Sequence, residues 1–90
     1  MTANYFAGKT AIITGGASGV GRSLAMALGA AGSNVVVGDV DKSAMEIIGK
    51  DLDAAGVPHR VDHCDVTQTS SLQEVLDSAL ETFGQVDFVF

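Results

Sequence analysis

Cationic side chains are scarce in this sequence. Five Lys and Arg stand against eleven Asp and Glu, leaving a net charge of −6. Nucleic acids are held by clustered bases, and these five are scattered, so a nucleic-acid partner is not expected. Cysteine occurs once, at Cys64, which rules out an internal disulfide and any CxxC or comparable metal-type spacing. A reducing cytoplasm is the compartment this favours. No apolar run approaches the roughly 18 residues needed to cross a bilayer, so no membrane partner is expected. No basic residue precedes Lys9 and no long apolar core stands there, so a secretory leader is not expected either. Proline is nearly absent too, with Pro58 alone against 11 glycines, so the glycines mark turns in an ordered chain rather than low complexity.

What is present reads as one small globular unit over residues 1–90. Hydrophobic residues make up 47% and charged ones 18%, which excludes disorder. A chain this short buries only about 60–65% of its unfolded surface, so its stability alone would be marginal.

The hydrophobic pattern alternates between strand and helix. Lys9–Thr14 (KTAIIT) is a short β-branched run ending in glycines. Val20, Leu24, Ala27, Leu28 and Ala31 then recur at helical spacing, with Gly32 placed as a helix-ending glycine. Asn34–Gly38 (NVVVG) is a second strand, continuously apolar because both of its faces are to be covered. Asp41 is placed to cap a helix over about Lys42–Ala55, with Met45, Ile48 and Leu52 on one face and Gly56 closing it. Gly49 weakens that helix by about 1 kcal/mol relative to Ala. A third strand falls around Val57–Cys64. Thr67 or Ser71 starts the next helix, and Ser71-x-x-Glu74 fits a capping box. Its stripe is Leu72, Val75, Leu76, Ala79, Leu80 and Phe83, Gly84 ends it, and Val86–Phe90 (VDFVF) opens a fourth strand. The order βαβαβαβ builds an open parallel sheet with helices on both faces: an α/β, doubly wound, Rossmann-type fold, here as its N-terminal portion.

Thr14–Ser23 (TGGASGVGRS) can be compared with three phosphate-handling loops. A P-loop would use Gly16, Gly21 and Ser23, but position 22 is Arg, which does not freely replace the compact lysine charge. The G-x-G-x-x-G fingerprint starts at Gly19 and Gly21, but Leu24 stands where the third glycine belongs. T-G-x-x-x-G-x-G fits Thr14 to Gly21 throughout. There the first strand ends, the chain turns on glycines, and a helix N-terminus aims free N–H groups at a pyrophosphate. Asp39, after the second strand, is placed to accept from ribose hydroxyls, its plainer role being a turn residue. Asp65-Val66-Thr67 follows the third strand on the same carboxyl edge, its plainer role being a turn with Thr67 as helix cap.

With "GKTAIITGGASGVG", Asp39, "CDVT" and "FGQVDFVF" in this order and spacing, the sequence resembles the N-terminal half of a short-chain dehydrogenase/reductase. The resemblance implies that Gly15, Ser18, Gly19, Val20 and Gly21 wrap the adenosine ribose and pyrophosphate of a nicotinamide cofactor. It implies that Asp39, with Val40 beside it, binds the ribose hydroxyls, and that Asp65 and Val66 read the adenine. Thr14 would tie the loop together. It further implies an oxidoreductase interconverting a small-molecule alcohol and a carbonyl compound, assembled as a homo-oligomer. The family's Ser, Tyr and Lys would follow beyond Phe90. Tyr5-x-x-x-Lys9 copies the Tyr–Lys spacing but precedes the first strand and lacks a serine partner. A non-catalytic NAD-binding module is the alternative function.

Cofactor choice follows from charge. A 2′-phosphate about 4 Å from Asp39 would be repelled by about 4 kcal/mol at an effective dielectric near 20, and half of that is still roughly thirtyfold in affinity. In the family, NADP enzymes carry a base where this sequence has Ser18 or Val40. NAD is therefore the expected cofactor. Arg22 is read as a solvated surface charge, His59 and His63 as ordinary strand residues, and Cys64 as a small buried hydrophobe.

Overall fold

The protein was analysed as a computed structural model, which describes residues 5–90. Four strands and three helices alternate: β1 (Thr10–Thr14), α1 (Gly19–Ala30), β2 (Asn34–Asp39), α2 (Lys42–Ala54), β3 (His59–His63), α3 (Thr69–Phe83) and β4 (Phe88–Val89). The sheet is parallel throughout, in the order β3-β2-β1-β4.

Alternation along the strands explains why they read as unbroken apolar runs. Ala11 and Ile13 of β1 and Val35 and Val37 of β2 face one side, where they pack with Ala25 and Leu28 of α1 and Ile48 and Leu52 of α2. Ile12 and Val36 face the other side and pack with Val75 and Ala79 of α3 and with Cys64. Both faces are covered, so neither set of side chains can be polar. The doubly wound α/β arrangement expected from the sequence is the arrangement found.

The chain lays β1, β2 and β3 side by side, then returns across the sheet to place β4 on the far side of β1. That reversal lies between β1 and β4, and doubly wound sheets take ligands outside the carboxyl ends of the strands at this point. β4 is pinned there by more than its two ladder residues. Asp87 N–H donates to the Thr10 carbonyl at 2.8 Å, and Thr10 N–H donates back to the Asp87 carboxylate at 2.8 Å. Phe90 N–H reaches the Ile12 carbonyl at 2.8 Å, and Thr14 N–H reaches the Phe90 carbonyl at 3.0 Å.

Three local expectations are corrected. The Ser71-x-x-Glu74 capping box does not form. α3 starts at Thr69, behind Gln68, which makes no side-chain cap bond, and the Ser71 hydroxyl accepts instead from Asp65 N–H at 3.0 Å. The loop amide after β3 thereby takes the acceptor a capping box would have used. Val20, placed on the buried stripe of α1, is 87% exposed, because only the later turns of that helix (Ala25, Leu28, Gly29) reach the sheet. On α3, Val75 and Ala79 are buried, but Leu72 and Leu80 remain 39% and 45% exposed. Leu72 borders an apolar hollow shared with Ile12, Val75, Leu76 and Val89.

The core makes a direct prediction about neighbouring isoleucines. Ile48 is fully buried whereas Ile47 is 58% exposed. Ile48→Ala should cost about 2–5 kcal/mol through lost burial and a cavity, and Ile47→Ala should stay within about 0.5 kcal/mol. Urea unfolding midpoints of the two variants provide the check.

Candidate functional site

The loop between β1 and α1 is shaped by close backbone approach at Gly16 and Gly21. A Cβ on Gly21 would stand 2.2 Å from the Gly15 carbonyl oxygen, so the first turn of α1 rests directly on the chain leaving β1. Gly19 opens the helix at φ 58°, a conformation that costs an ordinary L-residue and costs glycine nothing. Gly15 N–H extends the ladder by donating to the Gly38 carbonyl at 2.7 Å.

Ser18 is the N-cap residue of α1, and its side chain makes no cap hydrogen bond. The helix itself cannot use the N–H groups of its first turn, those of Gly19, Val20 and Gly21. These donors, with the positive end of the helix dipole, form a ready seat for an anionic oxygen. Ser18, Gly19 and Val20 are all exposed there.

Asp39 sits at the carboxyl end of β2, beside this loop. Its Oδ2 accepts from Ala17 N–H at 3.0 Å, and its Oδ1 accepts from Val40 N–H at 2.7 Å and Asp41 N–H at 3.1 Å. Burial pushes this carboxyl up, but the three N–H donors outweigh it and hold the pKa below the ordinary aspartate value. The cap of α2 is Asp41, which accepts from Ala44 N–H at 3.1 Å, so Asp39 is not needed for that role.

Asp65 follows β3 on the same edge. Its Oδ1 accepts from the Thr67 hydroxyl at 2.7 Å and from Thr67 N–H at 3.0 Å. Those two bonds, the hydroxyl first, keep its pKa below the usual value. Thr67 is thus a partner of Asp65 rather than the cap of α3. Val40, directly after β2, and Val66, three residues after β3, are both 57% exposed.

The remaining residues singled out from the sequence lie as follows. Thr14 ties the strands rather than the loop, its hydroxyl donating to the Phe90 carbonyl at 2.9 Å. Arg22 is not a free surface charge; it pairs with Asp51, joining α1 to α2. Tyr5 and Lys9 sit at the opposite, amino end of β1, with Lys9 Nζ 5.9 Å from the Tyr5 ring centre and that ring against Phe6. His59 bonds the Val57 carbonyl through Nδ1 at 2.7 Å, His63 is exposed and Cys64 is buried. Ala17 was missed as a contributor, because a backbone donor leaves no trace in residue type. Ser71 was assigned to a cap, and only the folded loop after β3 shows what its hydroxyl serves.

A glycine-lined helix N-terminus at the switch point, with an aspartate at the end of the neighbouring strand, defines a dinucleotide-type α/β site. Comparison with known proteins narrows this. The profile described as short chain dehydrogenase matches residues 9–90, and the chain belongs to that family. It is 35% identical over 83 residues to 3beta-hydroxysteroid dehydrogenase 2 of Eggerthella lenta, covering 92% of this chain and 32% of that protein. It is 37% identical over 82 residues to the mitochondrial borneol dehydrogenase of Lavandula x intermedia, covering 91% and 30%. Among solved structures, a short chain dehydrogenase/reductase from Burkholderia phymatum in complex with NAD superposes with a TM-score of 0.92 at 39% identity, covering 94% of this chain and 30% of that one. A 7 alpha-hydroxysteroid dehydrogenase complexed with NADH and 7-oxo glycochenodeoxycholic acid gives a TM-score of 0.92 at 31% identity, covering 99% and 35%. The chain therefore spans about a third of the length of the proteins it matches. Among the described residues, no helix is long and apolar enough to cross a membrane.

The carboxylates at this edge and at β4 set an acid limit on stability. Asp39, Asp65 and Asp87 all have lowered pKa values; for Asp87 the Thr10 N–H is the leading cause. The folded protein then binds fewer protons than the unfolded chain in this range. Their contribution is complete above the unfolded aspartate value and is lost as the pH falls through the lowered folded values. Unfolding midpoints measured from pH 7 to pH 3 should fall, and Asp87→Asn should flatten that dependence.

Proposed function

We propose that this chain is the cofactor-binding portion of an NAD(H)-dependent oxidoreductase that interconverts an alcohol and a carbonyl compound. The observation that carries this is the pairing of an uncapped α1 N-terminus with Asp39 on the same edge of the sheet. The residues present fit such a group: Gly21 lets the first turn of α1 lie against the Gly15 backbone, and the Ser18 side chain leaves the first-turn donors unused. Gly15, Ser18, Gly19, Val20 and Gly21 are assigned to the pyrophosphate and its adjoining ribose. Asp39 and Val40 are assigned to the ribose, and Asp65 and Val66 to the adenine.

When bound, the nicotinamide would supply the hydride-accepting or hydride-donating centre. This chain's residues would hold the other end. Their N–H donors neutralise phosphate charge, and Asp39 accepts from ribose hydroxyls. Hydride transfer and proton transfer are assigned to the longer protein, consistent with relatives about three times this length. This reading takes that protein to be a cytoplasmic homo-oligomer acting on a small-molecule substrate.

Preference for NAD over NADP rests on the Asp39 carboxylate and on the lack of a base at Ser18 or Val40. Calorimetric titration of the intact protein is expected to give roughly thirtyfold tighter binding of NAD than of NADP, from the charge repulsion at Asp39. Asp39→Ala should weaken NAD by about ten- to a hundredfold while narrowing that gap, since a hydrogen bond to a charged group is lost. Equal affinity for the two cofactors in the parent protein would overturn the preference.

A further inference from the structure

Asp39 is bonded to the glycine loop. Residues 15–18 make a sharp turn whose tie to the sheet consists of two rungs. One is the backbone bond from Gly15 N–H to the Gly38 carbonyl at 2.7 Å. The other, from Ala17 N–H to Asp39 Oδ2 at 3.0 Å, is the one side-chain hydrogen bond reaching these residues among those described. Ala17 is itself buried, at 3% exposure, so without the carboxylate its N–H would be shielded from water and unpaired.

We propose that Asp39 is a positioning residue that latches the glycine loop to the end of β2 through Ala17 N–H, setting the loop's shape in the absence of cofactor. The rest of the carboxylate is held with equal firmness. Oδ1 takes both Val40 and Asp41 N–H, which fixes the side chain with Oδ2 turned to the loop. A carboxylate has about four acceptor sites, and three are already used by these backbone donors. One site is left on Oδ2. A ribose hydroxyl can therefore be accepted without releasing the loop, and a second must share an occupied oxygen. The latch extends the site proposed above but concerns the empty protein, so it stands apart from the cofactor assignment.

Asp39→Asn is the informative variant, because its amide oxygen can keep the Val40 and Asp41 bonds while its NH2 cannot accept from Ala17. Hydrogen exchange of the Ala17 amide, followed by NMR in the intact protein without cofactor, is expected to be about tenfold faster in Asp39→Asn. The Val35 amide, bonded to the Pro58 carbonyl, reports the global fold and should keep its rate. Asp41→Asn removes a neighbouring charge without touching the latch and should leave Ala17 unchanged. A rate at Ala17 within twofold of the parent in Asp39→Asn overturns the proposal.

Should Asp39→Asn not fold, the parent protein still decides. The titratable groups beside Asp39 are Asp41, whose N–H it accepts, and its register partner His63 on β3. In an acid titration the Ala17 amide proton is expected to move with the Asp39 carboxyl carbon at the same midpoint. An Asp39 carboxyl that titrates while Ala17 stays still also overturns the latch. Failure to bind NAD would overturn the function proposed above and leave these readouts untouched.

Discussion

A Cβ at position 21 would stand 2.2 Å from the Gly15 carbonyl oxygen, and the placement of the α1 N-terminus at the carboxyl edge depends on that missing atom. Because backbone lies on backbone there, α1 can begin immediately after the turn that leaves β1. Its first-turn donors are then presented at the carboxyl end of the sheet rather than buried beneath it. A helix displaced outward by one methyl group would carry the N–H groups of Gly19, Val20 and Gly21 away from Asp39 and from the ends of β2 and β3. The glycine is required by contact, which makes its role more specific than turn flexibility.

The edge is built by a division of labour between backbone and side chain. Backbone N–H groups provide positive character without a single Lys or Arg in the loop, so an acidic protein can still offer a seat for phosphate. Asp39 at the end of β2 and Asp65 in the loop after β3 are each held in place by N–H or O–H donors. Those donors keep both groups ionised and directed, which is what recognition of hydroxyl or amino donors requires.

Much of this was legible in the residues. The strands announced themselves because both faces of a doubly wound sheet must be apolar, and the glycine spacing of Thr14–Gly21 matched one loop pattern and failed two others. Asp39 could be separated from Asp41 in advance, since only one of them is needed to cap α2. The failures were matters of single side chains. Ser71 and Glu74 satisfied the letter pattern of a capping box, but the Asp65 amide claimed the serine hydroxyl. Arg22 looked solvated because its partner, Asp51, lies on another helix. Arg22 and Thr14 found partners remote in sequence, where periodicity carries no information.

The sequence by itself determined the alternation of strand and helix, the position of the phosphate-type loop and the acidic residues that follow the second and third strands. It could do so because burial on two faces and backbone crowding restrict residue type position by position. Tertiary structure alone decided that Ala17 donates to Asp39, that Asp87 exchanges hydrogen bonds with Thr10, and that β4 returns beside β1 to open the switch point. Those pairings are set by where the chain folds back on itself. Their donors are backbone N–H groups, which carry no mark of residue type, so the sequence could not announce which of them each aspartate would take.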